Sequence, residues 1–213
     1  MISLSVTEIF HSLQGETTRT GVPTVFARLA GCNLRCGYCD TAYAWEEGNR
    51  MTLDEIVRRI ASFKCHTVEI TGGEPLAQEA APQLAERLLS LGYRVMVETN
   101  GTRDISVLPD EVVKIVDIKC PGSGEAGKFR YENLKLLATR DEIKFVICSK
   151  ADFDWALAET EKHGLIALCP VNISPAGGTV TPEEVAGWIL KSGKNLRLNL
   201  QLHKIIWGDK RGV

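Results

Sequence analysis

Apolar, β-branched runs recur along the chain and alternate with stretches whose apolar residues are spaced as on one face of a helix. Such runs are typical of buried strands. The predicted strands are residues 25–29, 67–71, 94–99, 112–118, 143–148, 165–171 and 196–202. Because amphipathic stretches separate several of them, the pattern predicts strand-helix-strand units with parallel strands.

Two of the predicted helices have clear start signals. Thr52 is followed three residues later by Glu55, and Thr181 by Glu184, which is the spacing of a capping box. Pro182 would occupy the first position of the second helix, where the missing N–H costs no hydrogen bond. Two further helices are predicted over residues 75–91, before Gly92, and over residues 152–164.

The length of the chain limits the fold. Parallel strands joined by helices form an open doubly wound sheet or a barrel, and a complete eightfold barrel needs roughly 250 residues. For 213 residues without an internal repeat or a long linker, the sequence predicts one α/β domain, residues 1–213, folded as a partial (βα) barrel. Glycine-rich loops at residues 122–127 and 175–178 each follow or end a predicted strand region.

Charge and composition narrow the function classes. A net charge of −2 and a pI near 6.1 give no basic footprint for nucleic acid. No apolar stretch is long enough to span a membrane, and the first residues lack the charged start of a signal peptide, so we expect a cytoplasmic protein. The chain has seven cysteines. Their odd number and clustering favour metal binding in a reducing compartment over disulfides.

Three cysteines lie on one short loop after a predicted strand. Cys32, Cys36 and Cys39 form a C-x3-C-x2-C pattern, at a strand end where parallel α/β folds place their active sites. A structural zinc site needs four ligands, whereas three thiolates can hold an iron-sulfur cubane and leave one iron open. The alternative is a zinc knuckle completed by Cys65 or a histidine. The other cysteines are expected to be buried thiols, namely Cys65, Cys120, Cys148 and Cys169.

The spacing of this loop, with an aromatic residue before its last cysteine, resembles the signature of the radical S-adenosylmethionine superfamily. The segment from Thr71 to Pro75 resembles the GGE motif of that superfamily. The resemblance implies a radical S-adenosylmethionine fold, a [4Fe-4S] cluster, and S-adenosylmethionine chelated to the open iron. The G-x-G-x-x-G pattern at residues 122–127 is not interpreted as a dinucleotide site, because Pro121 interrupts the strand-to-turn junction.

Further segments resemble the 7-carboxy-7-deazaguanine synthase family. They are residues 10–16, 26–33, 39–41, 201–207 and 211–213. The resemblance implies a carbon-nitrogen lyase that contracts the ring of 6-carboxy-5,6,7,8-tetrahydropterin to 7-carboxy-7-deazaguanine, with loss of ammonia, on the way to queuosine-type bases. It also implies Mg²⁺, an electron donor such as flavodoxin or ferredoxin, and a homodimer. No residue is predicted to act as a catalytic acid or base, because the protein mainly orients and shields the reactants.

Residues can be assigned to these tasks. Gln14 and Glu16 can read the donor and acceptor edge of a pterin, and Arg28 can pair with a carboxylate in forked geometry. With the resemblance, the predicted substrate residues are Leu13, Gln14, Gly15, Glu16, Arg28, Thr71, His203 and Val213. The predicted S-adenosylmethionine residues are Tyr38, Cys39, Asp40, Gly72, Gly73, Glu74, Asn100, Lys119, Cys120, Pro121 and Ser174. Thr41 is predicted to bind Mg²⁺.

Several alternatives remain open at this point. His203 could be a core histidine, the C-terminus could be a frayed tail, and residues 17–21 are expected to form a lid or surface loop. Residues 119–121 and 174–175 depart from the Ser-Pro-Lys and Gln-Pro patterns of the family. Two other functions compete: a glycyl-radical activating enzyme that acts on a protein partner, and a metal-binding module without catalytic activity.

Overall fold

The computed structural model describes residues 2–213, and within them all strands belong to one nine-stranded sheet. The strands are β1 (Ser3–Leu13), β2 (Pro23–Leu29), β3 (Asn49–Thr52), β4 (Thr67–Gly72), β5 (Arg94–Thr99), β6 (Val113–Asp117), β7 (Glu142–Ile147), β8 (Val171–Pro175) and β9 (Arg197–Leu198). The helices are α1 (Leu53–Ala61), α2 (Ala81–Ser90), α3 (Lys150–Lys162), α4 (Leu165–Leu168), α5 (Pro182–Ser192) and α6 (Leu202–Trp207).

The sheet is open and mostly parallel. Its strand order is β3-β1-β2-β4-β5-β6-β7-β8-β9. Neighbouring strands from β2 to β9 in this order are parallel. β1 pairs antiparallel with both β2 and β3. A sheet of this kind with helices on one side is a partial barrel. The predicted α/β class and partial barrel are therefore confirmed. Within residues 2–213, no helix is both long and apolar enough to cross a membrane.

Both predicted capping boxes are present. The Thr52 hydroxyl accepts from the backbone N–H of Glu55, whose side chain accepts from the N–H of Thr52, and Thr181 and Glu184 do the same at α5. Each pair satisfies two N–H groups that the first turn leaves free. The helix predicted over residues 75–91 is divided into a 3-10 turn, Pro75–Ala77, and α2.

The predicted strands at the C-terminal end differ from the structure. Residues 165–168 form the short helix α4, which begins after Gly164 in a left-handed conformation (φ 62°), and the strand starts only at Val171. Of residues 196–202, only Arg197 and Leu198 pair with β8. Apolar runs this short occur in buried helical turns as well as in strands, so periodicity does not separate the two.

The strands β1 and β3 were not predicted. β1 runs for 11 residues, and polar side chains at Ser5, Glu8 and His11 interrupt its apolar pattern. It pairs antiparallel to β2, and antiparallel strands tolerate a half-polar face that buried parallel strands do not. β3 has four residues, of which two are exposed.

The two faces of the sheet are chemically different. On β4, Val68 and Ile70 are fully buried and pack in the apolar core beneath α1 and α2. The alternate residues Glu69 and Thr71 point to the opposite, inner face, because successive side chains of a strand point to opposite sides. A second apolar cluster packs below α3 and α5 on β7 and β8. The helices therefore cover the outer face and leave a polar inner face.

We expect Leu84→Ala to lower the free energy of unfolding by about 2–5 kcal/mol, because Leu84 on α2 is fully buried and its truncation leaves a cavity. Leu190→Ala is the matched control, since Leu190 on α5 is 81% exposed and the same truncation should change stability by less than about 0.5 kcal/mol. Urea unfolding of both variants measures the difference. Equal losses would show that α2 does not cover the sheet in this way.

Candidate active site

A cavity of about 760 Å³ opens where the parallel strands end. Its wall includes Thr71, Glu98, Asp117, Val146 and Ser174, one from the end of each strand from β4 to β8. Carboxyl ends of parallel strands are the usual position of ligand sites in such folds. The volume falls in the range of about 300–1,000 Å³ that is common for small-molecule sites.

Most of the predicted site residues line this one cavity. They are Leu13, Gln14, Gly15, Glu16, Arg28, Cys32, Cys36, Tyr38, Cys39, Asp40, Thr41, Thr71, Gly72, Gly73, Asn100, Lys119, Ser174, His203 and Val213. The structure does not place Glu74, Cys120 or Pro121 in the wall: Glu74 and Cys120 are completely buried, and Pro121 is exposed at the start of a 3-10 turn.

The cysteine loop follows β2 and is fixed by backbone hydrogen bonds at both ends. The Gly31 N–H donates to Ala44 O at 2.8 Å, and the Gly37 N–H donates to Ser123 O at 3.0 Å. Cys32, Cys36 and Cys39 are free, partly exposed thiols that all line the cavity. The loop thus presents three sulfur ligands from one rigid strand end.

The donor set fits an iron-sulfur cubane. Burial raises the pKa of Cys32, and that of Cys36 to about 11, and binding to a cationic cluster would hold these groups as thiolates. Each thiolate of a cubane binds a different iron. Within residues 2–213, no three His, Cys, Asp or Glu side chains are placed to hold a single metal ion. Three sulfurs spread around one cavity match the ligand number of an open cubane.

Cys65 cannot complete a zinc site with these three sulfurs. Its Sγ lies 3.3 Å from Pro23 O, at the first residue of β2, whereas the cysteine loop begins after the last residue, Leu29. Seven residues of strand separate the two ends, a distance of about 20 Å. The zinc knuckle with Cys65 as the fourth ligand is therefore wrong.

The end of β4 packs against the cysteine loop through glycines. A Cβ on Gly72 (φ 150°) would lie 2.2 Å from Leu29 O, and one on Gly73 would lie 2.2 Å from Gly31 O. The N–H groups of Gly73 and Glu74 donate to the same two carbonyls at 3.1 and 2.8 Å. Only glycine allows this approach of two backbones, so residues 72–73 bring a second backbone edge to the cluster loop.

The carboxylate of Glu74 has a structural role. Its Oε1 accepts from the Leu76 N–H at 2.9 Å and the Thr99 hydroxyl at 2.8 Å, and its Oε2 accepts from the Asn100 N–H at 2.7 Å. Because these bonds occupy both oxygens of a completely buried side chain, the side chain ties the end of β5 to the end of β4. In this segment, Thr71, Gly72 and Gly73 line the cavity and Glu74 does not.

The inner face carries a cluster of buried charges around Lys144 on β7. The Lys144 ammonium donates to Glu16 at 2.8 Å and to Glu98, and lies 3.6 Å from Asp117. Burial alone would lower its pKa, but the three carboxylates raise the pKa well above the ordinary value. Lys119 forms a second pair with Asp117 at 2.8 Å. The ammonium groups compensate a set of carboxylates that face the cavity.

Glu69, Glu98, Asp117 and Lys144 were not predicted as site residues, yet all four line the cavity. Each lies within or at the end of an apolar strand run, at a position that alternates with core residues. A charged residue in a strand that is buried on both faces is expensive unless it is paired. A charged residue within an apolar strand run was therefore the signal in the sequence for a polar site on the inner face.

Arg28 on β2 is held at the cavity wall. Its Nε donates to Glu8 on β1 at 2.8 Å, and the Tyr43 hydroxyl donates to the same carboxylate oxygen at 2.8 Å. The remaining N–H groups of the guanidinium have no hydrogen-bond partner within residues 2–213. Arg28 therefore keeps donors free for an anion in the cavity.

The C-terminal tail folds over the mouth of the cavity. The Arg211 guanidinium lies 3.5 Å from the centre of the Tyr43 ring and 2.8 Å from the Glu47 carboxylate. It is also 3.6 Å from Glu8, which Arg28 already contacts. Val213 lines the same cavity. These contacts fix the tail at the cavity, so it is not frayed.

Helix α6 joins this tail to the loop after β1. His203 packs directly on Gly15, where a Cβ would lie 1.9 Å from Nδ1, and burial lowers its pKa. Gln201 donates to Glu16 and to Asp40 at 2.9 Å each. Burial thus disfavours the charged imidazolium of His203, which lies at the cavity wall next to residues predicted to bind substrate. The adjoining residues 17–21 are tied down as well, because the Thr17 N–H donates to Asn199 at 2.8 Å.

Comparison with known proteins agrees with this geometry. The sequence pattern of the Radical SAM superfamily matches residues 28–185. The 7-carboxy-7-deazaguanine synthase of Koribacter versatilis is 45% identical, over 99% of this chain and 100% of that protein. The enzyme of that name from Chlorobaculum tepidum is 41% identical, over 99% of this chain and 97% of that protein. This chain belongs to the 7-carboxy-7-deazaguanine synthase family.

The fold of this family is shared as well. The crystal structure of QueE from Escherichia coli superimposes with a TM-score of 0.76 over 94% of this chain and 95% of that one, at 23% identity. Membership in the superfamily means a [4Fe-4S] cluster and S-adenosylmethionine as cofactors, which confirms that prediction. The comparisons do not favour a glycyl-radical activating enzyme.

We expect Lys144→Met to lower the free energy of unfolding by about 3–5 kcal/mol, because it leaves buried carboxylates without their counter-charge. Lys150→Met is the control, since Lys150 pairs with Asp154 on the surface, where such a pair contributes about 0–1 kcal/mol. Chemical denaturation of both variants tests this. If the two losses were equal, Lys144 would not be the ion that neutralises the inner face.

Proposed function

We infer that the chain is a radical S-adenosylmethionine lyase that converts 6-carboxy-5,6,7,8-tetrahydropterin to 7-carboxy-7-deazaguanine with loss of ammonia. The observation that carries the inference is that three cysteine thiols and Arg28 line one cavity. The cavity has the volume of a small-molecule site, and its wall offers hydrogen-bond donors and acceptors. The two relatives named 7-carboxy-7-deazaguanine synthase each align with 99% of this chain. We propose that residues 1–213 act as a single domain around this cavity.

The cofactors have a clear place in this proposal. Cys32, Cys36 and Cys39 would hold the cluster, and the backbone of residues 72–73, which abuts the same loop, would lie beside S-adenosylmethionine. Together the cluster and S-adenosylmethionine supply a one-electron cleavage that yields a hydrogen-abstracting radical. Tyr38 is held toward Val146 by its hydroxyl, which donates at 3.2 Å. Its ring forms one wall between the cluster loop and β7.

Other residues proposed for S-adenosylmethionine are arranged around that position. Asn100 follows β5 and donates to Asn33 in the cysteine loop at 3.0 Å. Lys119 lies over the Tyr38 ring, 5.9 Å from its centre. Ser174 accepts from Asn199 at 2.9 Å, so its hydroxyl proton is free for a ligand in the cavity.

The pterin would lie on the opposite side of the cavity. Arg28 supplies the free N–H donors that a carboxylate needs. Gln14, Glu16 and His203 form a polar wall with mixed donors and acceptors, which suits the edge of a pterin. The C-terminal carboxylate of Val213 lies within reach of the same space. These residues bind and orient the ring and exclude water while the rearrangement takes place.

Thr41 is proposed to bind Mg²⁺. It lines the cavity, and its hydroxyl donates to Asp40 at 2.9 Å, so its lone pairs remain available to a cation. Burial alone would raise the pKa of Asp40. The hydrogen bond from Gln201 and the charge of Lys204 nevertheless hold this pKa well below its usual value. Magnesium prefers oxygen ligands and keeps several waters, so substrate oxygens would complete the site.

We also propose the setting of the enzyme. All seven cysteines are free, which suits the reducing conditions of the cytoplasm. The cluster needs an electron from a small redox protein such as flavodoxin or ferredoxin. The homodimer expected for the family remains a proposal for this chain.

Replacing Cys32, Cys36 or Cys39 with alanine should abolish the cluster, because two thiolates cannot replace three in an open cubane. We expect loss of bound iron, of absorbance between about 380 and 420 nm, and of 5′-deoxyadenosine formation with dithionite. Cys65→Ala and Cys148→Ala are matched controls that should keep the bound iron, the absorbance and the formation of 5′-deoxyadenosine. A cysteine-loop variant that still cleaved S-adenosylmethionine would refute the assignment.

Arg28→Lys should raise the KM for 6-carboxy-tetrahydropterin by about tenfold or more, since lysine keeps the charge but loses the planar fork. Anaerobic turnover, with the product followed by absorbance and mass, measures this effect. Arg50→Lys is the control and should leave KM unchanged, because the side chain of Arg50 on β3 is exposed and does not line the cavity. A KM for Arg28→Lys equal to that of the unsubstituted enzyme would mean that the pterin carboxylate binds elsewhere.

A further inference from the structure

Glu69 is the buried carboxyl group that the proposed function leaves without a role. It lies in the middle of β4, is 3% exposed, and lines the cavity between Phe26 on β2 and Met96 on β5. Its neighbours Val68 and Ile70 face the apolar core. Burying a glutamate costs free energy unless its carboxyl oxygens form hydrogen bonds. The apolar core on the other face of the sheet offers no partners for such bonds.

The hydrogen bonds of Glu69 define which oxygen is free. The Gln14 carbonyl oxygen accepts from the Glu16 N–H at 3.0 Å, which fixes the orientation of the Gln14 amide. The amide NH₂ must then point the other way, and it donates to Glu69 Oε2 at 2.5 Å. The second oxygen, Oε1, has no hydrogen-bond partner within residues 2–213. It is left to face the cavity.

The charges around Glu69 oppose its ionisation. Glu98 on β5 and Glu16 after β1 face it, and Asp117 on β6 adds a third carboxylate to the same inner face. The Lys144 ammonium on β7 is shared among those three carboxylates.

The remaining cations nearby are engaged in the same way. Arg28 on β2 pairs with Glu8, and Lys119 pairs with Asp117. No cation within residues 2–213 forms an ion pair with Glu69. Burial, together with the charges of Glu98 and Glu16, raises the pKa of Glu69 to about 8.

We propose that Glu69 binds the substrate as a neutral carboxylic acid, with Oε2 accepting from Gln14 and the Oε1–H donating to an acceptor atom of the pterin ring. A pterin offers such acceptors in its ring carbonyl and its unprotonated ring nitrogen. The donor would discriminate against a ring that presents an N–H at the same place, because two donors would then face each other in a buried site. This specificity role rests on the proposed function.

The proposal predicts different effects for two substitutions of Glu69. Glu69→Met keeps the approximate volume and removes both polar atoms, and we expect it to raise the KM for 6-carboxy-tetrahydropterin by about tenfold or more. Glu69→Gln can still accept from Gln14 with its carbonyl and donate with its NH₂. We therefore expect glutamine to rescue most of that loss at pH 7. Glu86→Gln on the exposed side of α2 is the matched control.

The pH dependence gives an independent readout. A carboxyl with a raised pKa is protonated below that pKa and loses its proton above it. In the unsubstituted enzyme, kcat/KM for the pterin should fall as the pH rises through about 8. Glu69→Gln should remove this alkaline decline, because the amide does not titrate. The Glu86→Gln control should keep the decline.

Two results would overturn the proposal. If Glu69→Gln loses as much as Glu69→Met at pH 7, Glu69 acts as an ionised acceptor instead. If the alkaline decline persists in Glu69→Gln, another group causes it. The cluster absorbance of each variant shows whether its fold is intact. Failure of the unsubstituted enzyme to convert the pterin at all would refute the proposed function, which is a distinct outcome.

Discussion

The site depends on charge balance on the inner face of an open parallel sheet. Every strand from β4 to β8 contributes a polar side chain to that face, and several of them are carboxylates. Buried like charges repel one another strongly unless a cation lies among them. Lys144 provides that cation through contacts to three different segments of the chain. Without it, these carboxylates would repel one another in a buried setting.

A second constraint is the contact between two backbone edges. The cysteine loop and the turn after β4 approach so closely that residues 72–73 must be glycine. The carboxylate of Glu74 then ties this turn to the end of β5. The three thiols and the neighbouring backbone are therefore held by the scaffold itself. Such preorganisation suits a reaction in which the protein positions reactive groups more than it reacts with them.

The C-terminal segment forms a further part of the cavity wall. Arg211 contacts Tyr43 and Glu47, and α6 contacts the loop after β1 through Gln201 and His203. The C-terminal segment and the loop after β1 thus meet at the cavity. Glu8 lies between Arg28 and Arg211, so a wall residue and the tail share one carboxylate.

The local signals in the sequence predicted much of this protein. The cysteine spacing, the glycine motif, the two capping boxes and most parallel strands depend on residues a few positions apart, and the structure contains all of them. The strands predicted over residues 165–171 and 196–202 were wrong in part, because short apolar runs suit either secondary structure. The interrupted pattern of β1 hid a strand that only its antiparallel partners stabilise.

The sequence by itself determined the α/β class and the family, and it predicts the cluster ligands, because each of these depends on residue identity at short spacing. Only the tertiary structure decided which charged residues share the cavity and which oxygens remain free. Lys144 and Glu16 are 128 positions apart, and Gln14 and Glu69 are 55 apart. Their contacts follow from strand register and order in the sheet. Those are set by packing of the whole core rather than by any local pattern.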